Sequence, residues 1–121
     1  MAEEKNFENR IKKFLSERGC WWVKFHGNGY TRSGVPDLLC SVSGVFVAIE
    51  VKAERGKPSP LQIHQINQIN ESGGVAVIVK PSQWNQLKIL LNFLMDGEIE
   101  LAFNCINTIN SVWGEIENED M

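Results

Sequence analysis

The spacing of hydrophobic residues changes period several times along this chain, and each change marks an element. Phe7, Ile11, Phe14 and Leu15 recur at i, i+4, i+7 and i+8, which predicts one amphipathic helix over about residues 4–18, stopped by Gly19. Trp21-Trp22-Val23-Lys24-Phe25 is short, aromatic and β-prone, and reads as a first strand. Residues 26–34 hold three glycines and are expected to form a mobile loop. Residues 38–42 and 45–52 are two strands joined by Ser43-Gly44, and so short a connection predicts an antiparallel hairpin. Residues 53–57 form a charged loop. Ser59 is placed to cap a helix with Pro60 at its first position and Leu61, Ile66 and Ile69 on its apolar face, ending near Glu71 before Gly73-Gly74.

The run Val75-Ala76-Val77-Ile78-Val79 is apolar throughout and predicts a buried central strand. Ser82 is expected to cap a helix carrying Trp84, Leu87, Leu90, Leu91 and Leu94. Past Gly97 two readings stay open. Ile99, Leu101 and Phe103 alternate as an edge strand would, or a helix continues to Trp113; residues 115–121 are expected to fray. The order α-β-β-β-α-β-α predicts an α/β fold, a mixed central β-sheet flanked by helices, in a single domain over 1–121.

Composition adds limits. The 43% hydrophobic and 22% charged shares are those of a soluble globule, and no apolar run approaches the roughly 20 residues of a membrane span, so no membrane partner is expected. MAEEKNFENR is acidic and polar, unlike a secretory leader. Cys20, Cys40 and Cys105 have neither metal-ligand spacing nor an even count, and the expected location is a reducing cytoplasm. The net charge of −3 conceals an asymmetry: residues 1–88 hold all twelve Lys and Arg against eight acids, whereas residues 89–121 hold seven acids and no base. Phosphate affinity follows local charge, so the basic body permits nucleic-acid binding.

The chemistry lies in two strings, Gly34-Val35-Pro36-Asp37 and Ile49-Glu50-Val51-Lys52. Side chains two apart on a strand share a face, so Glu50 and Lys52 point one way while Ile49 and Val51 point into apolar packing. Charges at alternate positions of a hydrophobic strand are costly to bury unless they face a cleft or a metal. Across the hairpin, Asp37 and Glu50 converge on one point where carboxylate oxygens suit Mg²⁺ or Mn²⁺, with Lys52 beside them. Such a group fits metal-assisted phosphodiester hydrolysis. The loop before Asp37 carries His26, Tyr30 and Arg32 and is flanked by Lys24; basic and aromatic residues among glycines suit a DNA-gripping surface, to which Lys57 is added.

These residues, with Gly56-Lys57-Pro58-Ser59-Pro60-Leu61-Gln62 and Gly73-Gly74-Val75, make residues 4–82 resemble the VRR-NUC family of the PD-(D/E)xK nuclease superfamily. The resemblance implies a restriction-endonuclease-like core and a Mg²⁺- or Mn²⁺-dependent endonuclease without an organic cofactor. Small stand-alone members, often from phages, look like dimeric resolvases of branched DNA. The implied partners are therefore junction DNA and a second copy, and the implied compartment is the cytoplasm, the host's if phage-encoded. Alternatives from the residues are a nuclease without junction preference and a non-catalytic DNA-binding protein of the same fold. Matched residue by residue, Asp37 and Glu50 are the metal ligands, Val51 offers its backbone carbonyl and Lys52 is the catalytic lysine. Glu8 is the first-helix carboxylate, implied as a third metal residue, with Glu4 as competitor. Gln62 matches a glutamine near the active centre, though Ser59-x-x-Gln62 is also a capping box.

Overall fold

The computed structural model describes residues 2–27, 29, 30 and 32–114. Helix α1 (Ala2–Glu17) leads into β1 (Trp21–Lys24), followed by β2 (Leu38–Val42), β3 (Val45–Val51), α2 (Pro60–Glu71), β4 (Val75–Val79), a 3-10 turn (Pro81–Gln83), α3 (Trp84–Met95), α4 (Ile99–Asn110) and a 3-10 turn (Ser111–Trp113). The expected fraying at 115–121 falls outside the described residues. Among the described residues no helix is long and apolar enough to cross a membrane.

The strands form one sheet in the order β1-β2-β3-β4, with β1–β2 and β2–β3 antiparallel and β3–β4 parallel. Ser43 and Gly44 turn the hairpin with positive φ angles of 50° and 85°, and register runs from Val42↔Val45 to Leu38↔Ile49. The parallel pairing needs a crossover, which α2 supplies. This is the expected α/β architecture, a mixed sheet between helices. The strand pleat sorts the core into two layers. Phe7, Ile11, Phe14 and Leu15 of α1 and Leu87, Leu90, Leu91 and Leu94 of α3 pack on Leu38, Cys40, Val47, Ile49, Val51, Val75, Val77 and Val79. Ile63 and Ile66 of α2 cover Ala48, Ala76 and Ile78 on the other face, joined by Trp113. Each fully buried large aliphatic or aromatic side chain contributes about 1.5–3 kcal/mol.

One open reading is decided and two expectations are corrected. Past Gly97 the chain takes the helical alternative, not the edge strand: Ala102, Ile106 and Ile109 form the buried stripe of α4, while Ile99, Leu101 and Phe103 are exposed. Ser82 does not cap α3. It lies inside the 3-10 turn, where its N–H and Oγ–H both donate to Glu54, at 2.9 and 2.7 Å. Leu61 is 54% exposed, and Ile63 takes its expected place in the core.

Among the described residues no fifth strand pairs with the outer edge of β4. Side chains pair it instead: Asn70 takes the Ala76 N–H and donates to the Ala76 carbonyl, at 2.8 and 2.9 Å. Asn110 accepts from the Ile78 N–H (3.0 Å) and donates to the Ala76 carbonyl, and the Trp113 indole N–H donates to the Ile78 carbonyl (2.9 Å). An edge that would otherwise offer itself to another chain is closed by α2, α4 and the turn after α4.

Candidate active site at the end of the β2–β3 hairpin

Gly34 opens the site. Its φ is +79°, and a Cβ there would stand 2.6 Å from the Leu61 carbonyl oxygen, so only glycine lets the loop pass the first turn of α2. Gln65 Nε2 donates to the Ser33 carbonyl at 3.2 Å and fastens the same crossing. Two residues later Asp37 is held by both neighbouring strands. Its carbonyl accepts the Phe25 N–H beyond β1, and its Oδ2 accepts the Val51 N–H of β3, each at 2.8 Å.

Glu50 shares a sheet face with Ala48 and Ile78, which α2 covers, and it is 3% exposed. Gln62 Nε2 donates to its Oε2 at 3.0 Å, and Lys52 Nζ lies 3.3 Å from the same oxygen. Burial, with the neighbouring Asp37 carboxylate, pushes the Glu50 carboxyl up to about 8 against the pull of Lys52. Gln62 serves two functions at once. Its Oε1 accepts the Ser59 N–H (2.9 Å) while Ser59 Oγ accepts the Gln62 N–H (3.2 Å), so the capping box and the contact with Glu50 coexist.

Glu8 of α1 is 4% exposed and reaches the same end of the sheet. Lys24 Nζ lies 2.7 Å from Glu8 Oε1 and 3.3 Å from Asp37 Oδ1, joining the two carboxylates. Lys12 stands 2.8 Å from Glu8 Oε2, an ion pair without hydrogen-bond alignment, and exposed Lys5 is 4.0 Å away. Burial raises the Glu8 carboxyl, but Lys12 and Lys24 outweigh it and leave it below the usual carboxylate range. Lys24 is raised in turn: Glu8 and Asp37 outweigh its own burial. Glu4 makes no ion pair among those described.

Lys24 was expected on the DNA-gripping surface; its ammonium points instead into the carboxylates. Lys12 was not singled out, although Glu8 and Lys12 stand at i and i+4 on one helix, a spacing that signals the pair. His26, Tyr30, Arg32 and Lys57 are exposed. A groove of about 450 Å³ runs past Phe25, Arg32, Gly34, Asp37 and Gln62. A larger cleft of about 690 Å³ lies between α2 and α4, lined by Asn67, Asn70, Asn107 and Asn110, and includes none of the residues around Asp37 and Glu50.

The donor set fits a hard divalent cation. Asp37 and Glu50 are close enough for one charge to disfavour the other, a conflict that a cation between them relieves. Among the described residues no three His, Cys, Asp or Glu side chains converge as a ready-made cage. Two carboxylates completed by water and phosphate oxygens is the usual way of holding Mg²⁺.

Residues 2–111 match the family model described as archaeal Holliday junction resolvase (Hjc). A solved structure described as a VRR_NUC domain has a TM-score of 0.60 to this chain at 26% sequence identity, over 74% of this chain and 95% of that one. Comparison with curated proteins finds none that matches. The expected resemblance to the PD-(D/E)xK nucleases is thereby borne out. With its mixed sheet, its hairpin carboxylates and a family match over nearly its whole length, the chain belongs to the archaeal Holliday junction resolvase (Hjc) family of nucleases.

Proposed function

We propose that the protein is a Mg²⁺- or Mn²⁺-dependent endodeoxyribonuclease that cuts branched DNA, four-way junctions foremost, as a homodimer. The observation that carries this reading is Glu50: a carboxylate 3% exposed, acted on by the Asp37 charge, and held by Lys52 and by Gln62, which with Asp37 lines a groove. Such a group is costly to keep in a fold unless it has work to do.

In this reading Asp37 and Glu50 hold the ion, with the Val51 carbonyl as a further oxygen. When bound, the ion would polarise the scissile phosphate and acidify the attacking water. The chain's own residues do the rest. The Val51 N–H fixes one Asp37 oxygen, leaving its remaining lone pairs for ligation. Gln62 fixes the Glu50 carboxylate, and the Lys52 ammonium is placed to orient water or to offset charge growing on phosphorus. Glu8, expected as a third metal residue, has Lys24 between it and Asp37 and in this reading acts on the site through that ammonium. Arg32 lines the groove, and with exposed His26, Tyr30 and Lys57 would supply backbone and base contacts, on a body whose local charge is positive. Family membership supports the junction as substrate, and a two-fold dimer would present two sites to two strands.

The test is a panel of labelled four-way junction, flap, duplex and single-stranded DNA with Mg²⁺ or Mn²⁺, alongside light scattering of the DNA-free protein. Preferential, paired nicking of the junction by a dimer is expected. Equal rates on all four substrates would remove the junction preference, and a monomer at micromolar concentration would remove symmetric resolution.

A further inference from the structure

We infer that the Lys24 ammonium occupies the place a second divalent cation would need, so that each chain holds one ion, between Asp37 and Glu50. This rests on the metal-dependent reading above and adds to it the number of ions and the residue that sets it.

The argument begins with position. Lys24 ends β1 opposite Leu38, the residue after Asp37, and its Nζ bridges Glu8 Oε1 at 2.7 Å and Asp37 Oδ1 at 3.3 Å. A Mg²⁺ or Mn²⁺ ion shared by those carboxylates would need oxygens about 2.0–2.1 Å away, in the volume the ammonium fills. Glu8 is paired from its other side with Lys12, at 2.8 Å. Glu50 differs. Its cationic neighbour is Lys52, at 3.3 Å, and the charge it meets from Asp37 is of its own sign.

Charge balance points the same way. With Glu50 ionised, as holding a cation requires, Glu8, Asp37 and Glu50 are matched by Lys12, Lys24 and Lys52, a neutral set apart from the ion, with Lys5 outside it in solvent. One divalent ion adds two positive charges, which balance the doubly negative phosphorane of phosphodiester hydrolysis. A second ion in place of the ammonium would leave one more positive charge, uncompensated, in a partly buried site. Lys24 thus supplies as a fixed side chain a single positive charge where a second ion would bring two, while holding Glu8 and Asp37 together.

The test counts Mn²⁺ bound per chain at saturation, by electron paramagnetic resonance on the intact, DNA-free protein. Wild type is expected to bind one ion, Lys24→Arg one, and Lys24→Met two, because removing the ammonium opens the Glu8–Asp37 position. Glu8→Gln is expected to keep one ion. Two ions on wild type, or one on folded Lys24→Met, would overturn the inference and leave metal dependence standing. Loss of the ion in Glu8→Gln would overturn it by making Glu8 a ligand. No Mn²⁺ on wild type would overturn both this inference and the metal-dependent reading. The wild-type and Glu8→Gln counts decide the matter even where Lys24→Met fails to fold.

Discussion

Gln62 is bonded at both ends of its amide, with Oε1 accepting the Ser59 N–H at 2.9 Å and Nε2 donating to Glu50 Oε2 at 3.0 Å. The first bond decides the second. Once the carbonyl end is committed to the cap, the NH₂ end is the one that faces the carboxylate. The start of α2 is therefore wired to the catalytic candidate of β3.

That wiring separates two substitutions. Ser59→Ala removes the Oγ acceptor of the Gln62 N–H and is expected to cost about 1 kcal/mol of stability, with little change in cleavage. Gln62→Ala removes the partner of Glu50 as well, and its cleavage rate is expected to fall about 10- to 100-fold. Thermal melts and single-turnover rates on the two variants check this; equal rates would detach Gln62 from the site.

Gly34→Ala and Gly44→Ala place a Cβ at similar positive φ, 79° and 85°, in different surroundings. At Gly44 nothing lies within 4 Å, and strain of about 1 kcal/mol is expected. At Gly34 the Leu61 carbonyl oxygen lies 2.6 Å from the new Cβ, so a further cost of about 1–3 kcal/mol and a displaced Asp37 are expected. Chemical denaturation of the pair reads the difference, and similar midpoints would contradict the close approach.

Glu50 predicts how the metal-free protein responds to pH. Its carboxyl is pushed up from 4.5 to about 8 by burial and by Asp37, so the folded state holds this proton more tightly than the unfolded chain does. The stability linked to it is full below about pH 4.5 and is lost as pH rises through about 8, an effect on the order of a few kcal/mol. Glu8 and Glu54, both lowered, act in the opposite sense, at more acid pH. Melting curves without metal should decline from pH 5 to 8 for wild type and be flatter for Glu50→Gln. Binding of Mg²⁺ at pH 7 should release a proton, seen as a heat that depends on the buffer.

Asn110 closes the edge of β4 from α4. Asn110→Ala leaves the Ile78 N–H without its partner, while the Ala76 carbonyl keeps Asn70, and a loss of about 1–3 kcal/mol is expected in denaturant titration. An unchanged midpoint would mean that the edge does not depend on this amide.

The hairpin, the capped α2 and β4 were legible because their signals are local: a two-residue turn, a Ser-Pro-x-Gln cap, an unbroken apolar run. α4 was not. Its alternating Ile99, Leu101 and Phe103 imitate a strand, yet they are its exposed residues, and the buried set Ala102, Ile106 and Ile109 is what packs. Asp37, Glu50 and Lys52 could be placed from strand alternation alone. The position of Lys24 could not, because it depends on β1 pairing with β2 beside a helix sixteen residues earlier in sequence, a tertiary fact with no local mark. For the same reason Ser82 looked like a cap until Glu54, twenty-eight residues away, claimed its N–H and hydroxyl.

The central claim is that Asp37 and Glu50 hold a divalent ion that drives cleavage of junction DNA. The most direct measurement is the single-turnover cleavage rate of a labelled four-way junction with and without Mg²⁺, for wild type and Asp37→Asn. The account predicts metal-dependent cleavage by wild type and none above background for Asp37→Asn, which keeps the size of the side chain and loses its charge. Undiminished cleavage by Asp37→Asn, or by wild type with chelator in place of metal, would contradict it.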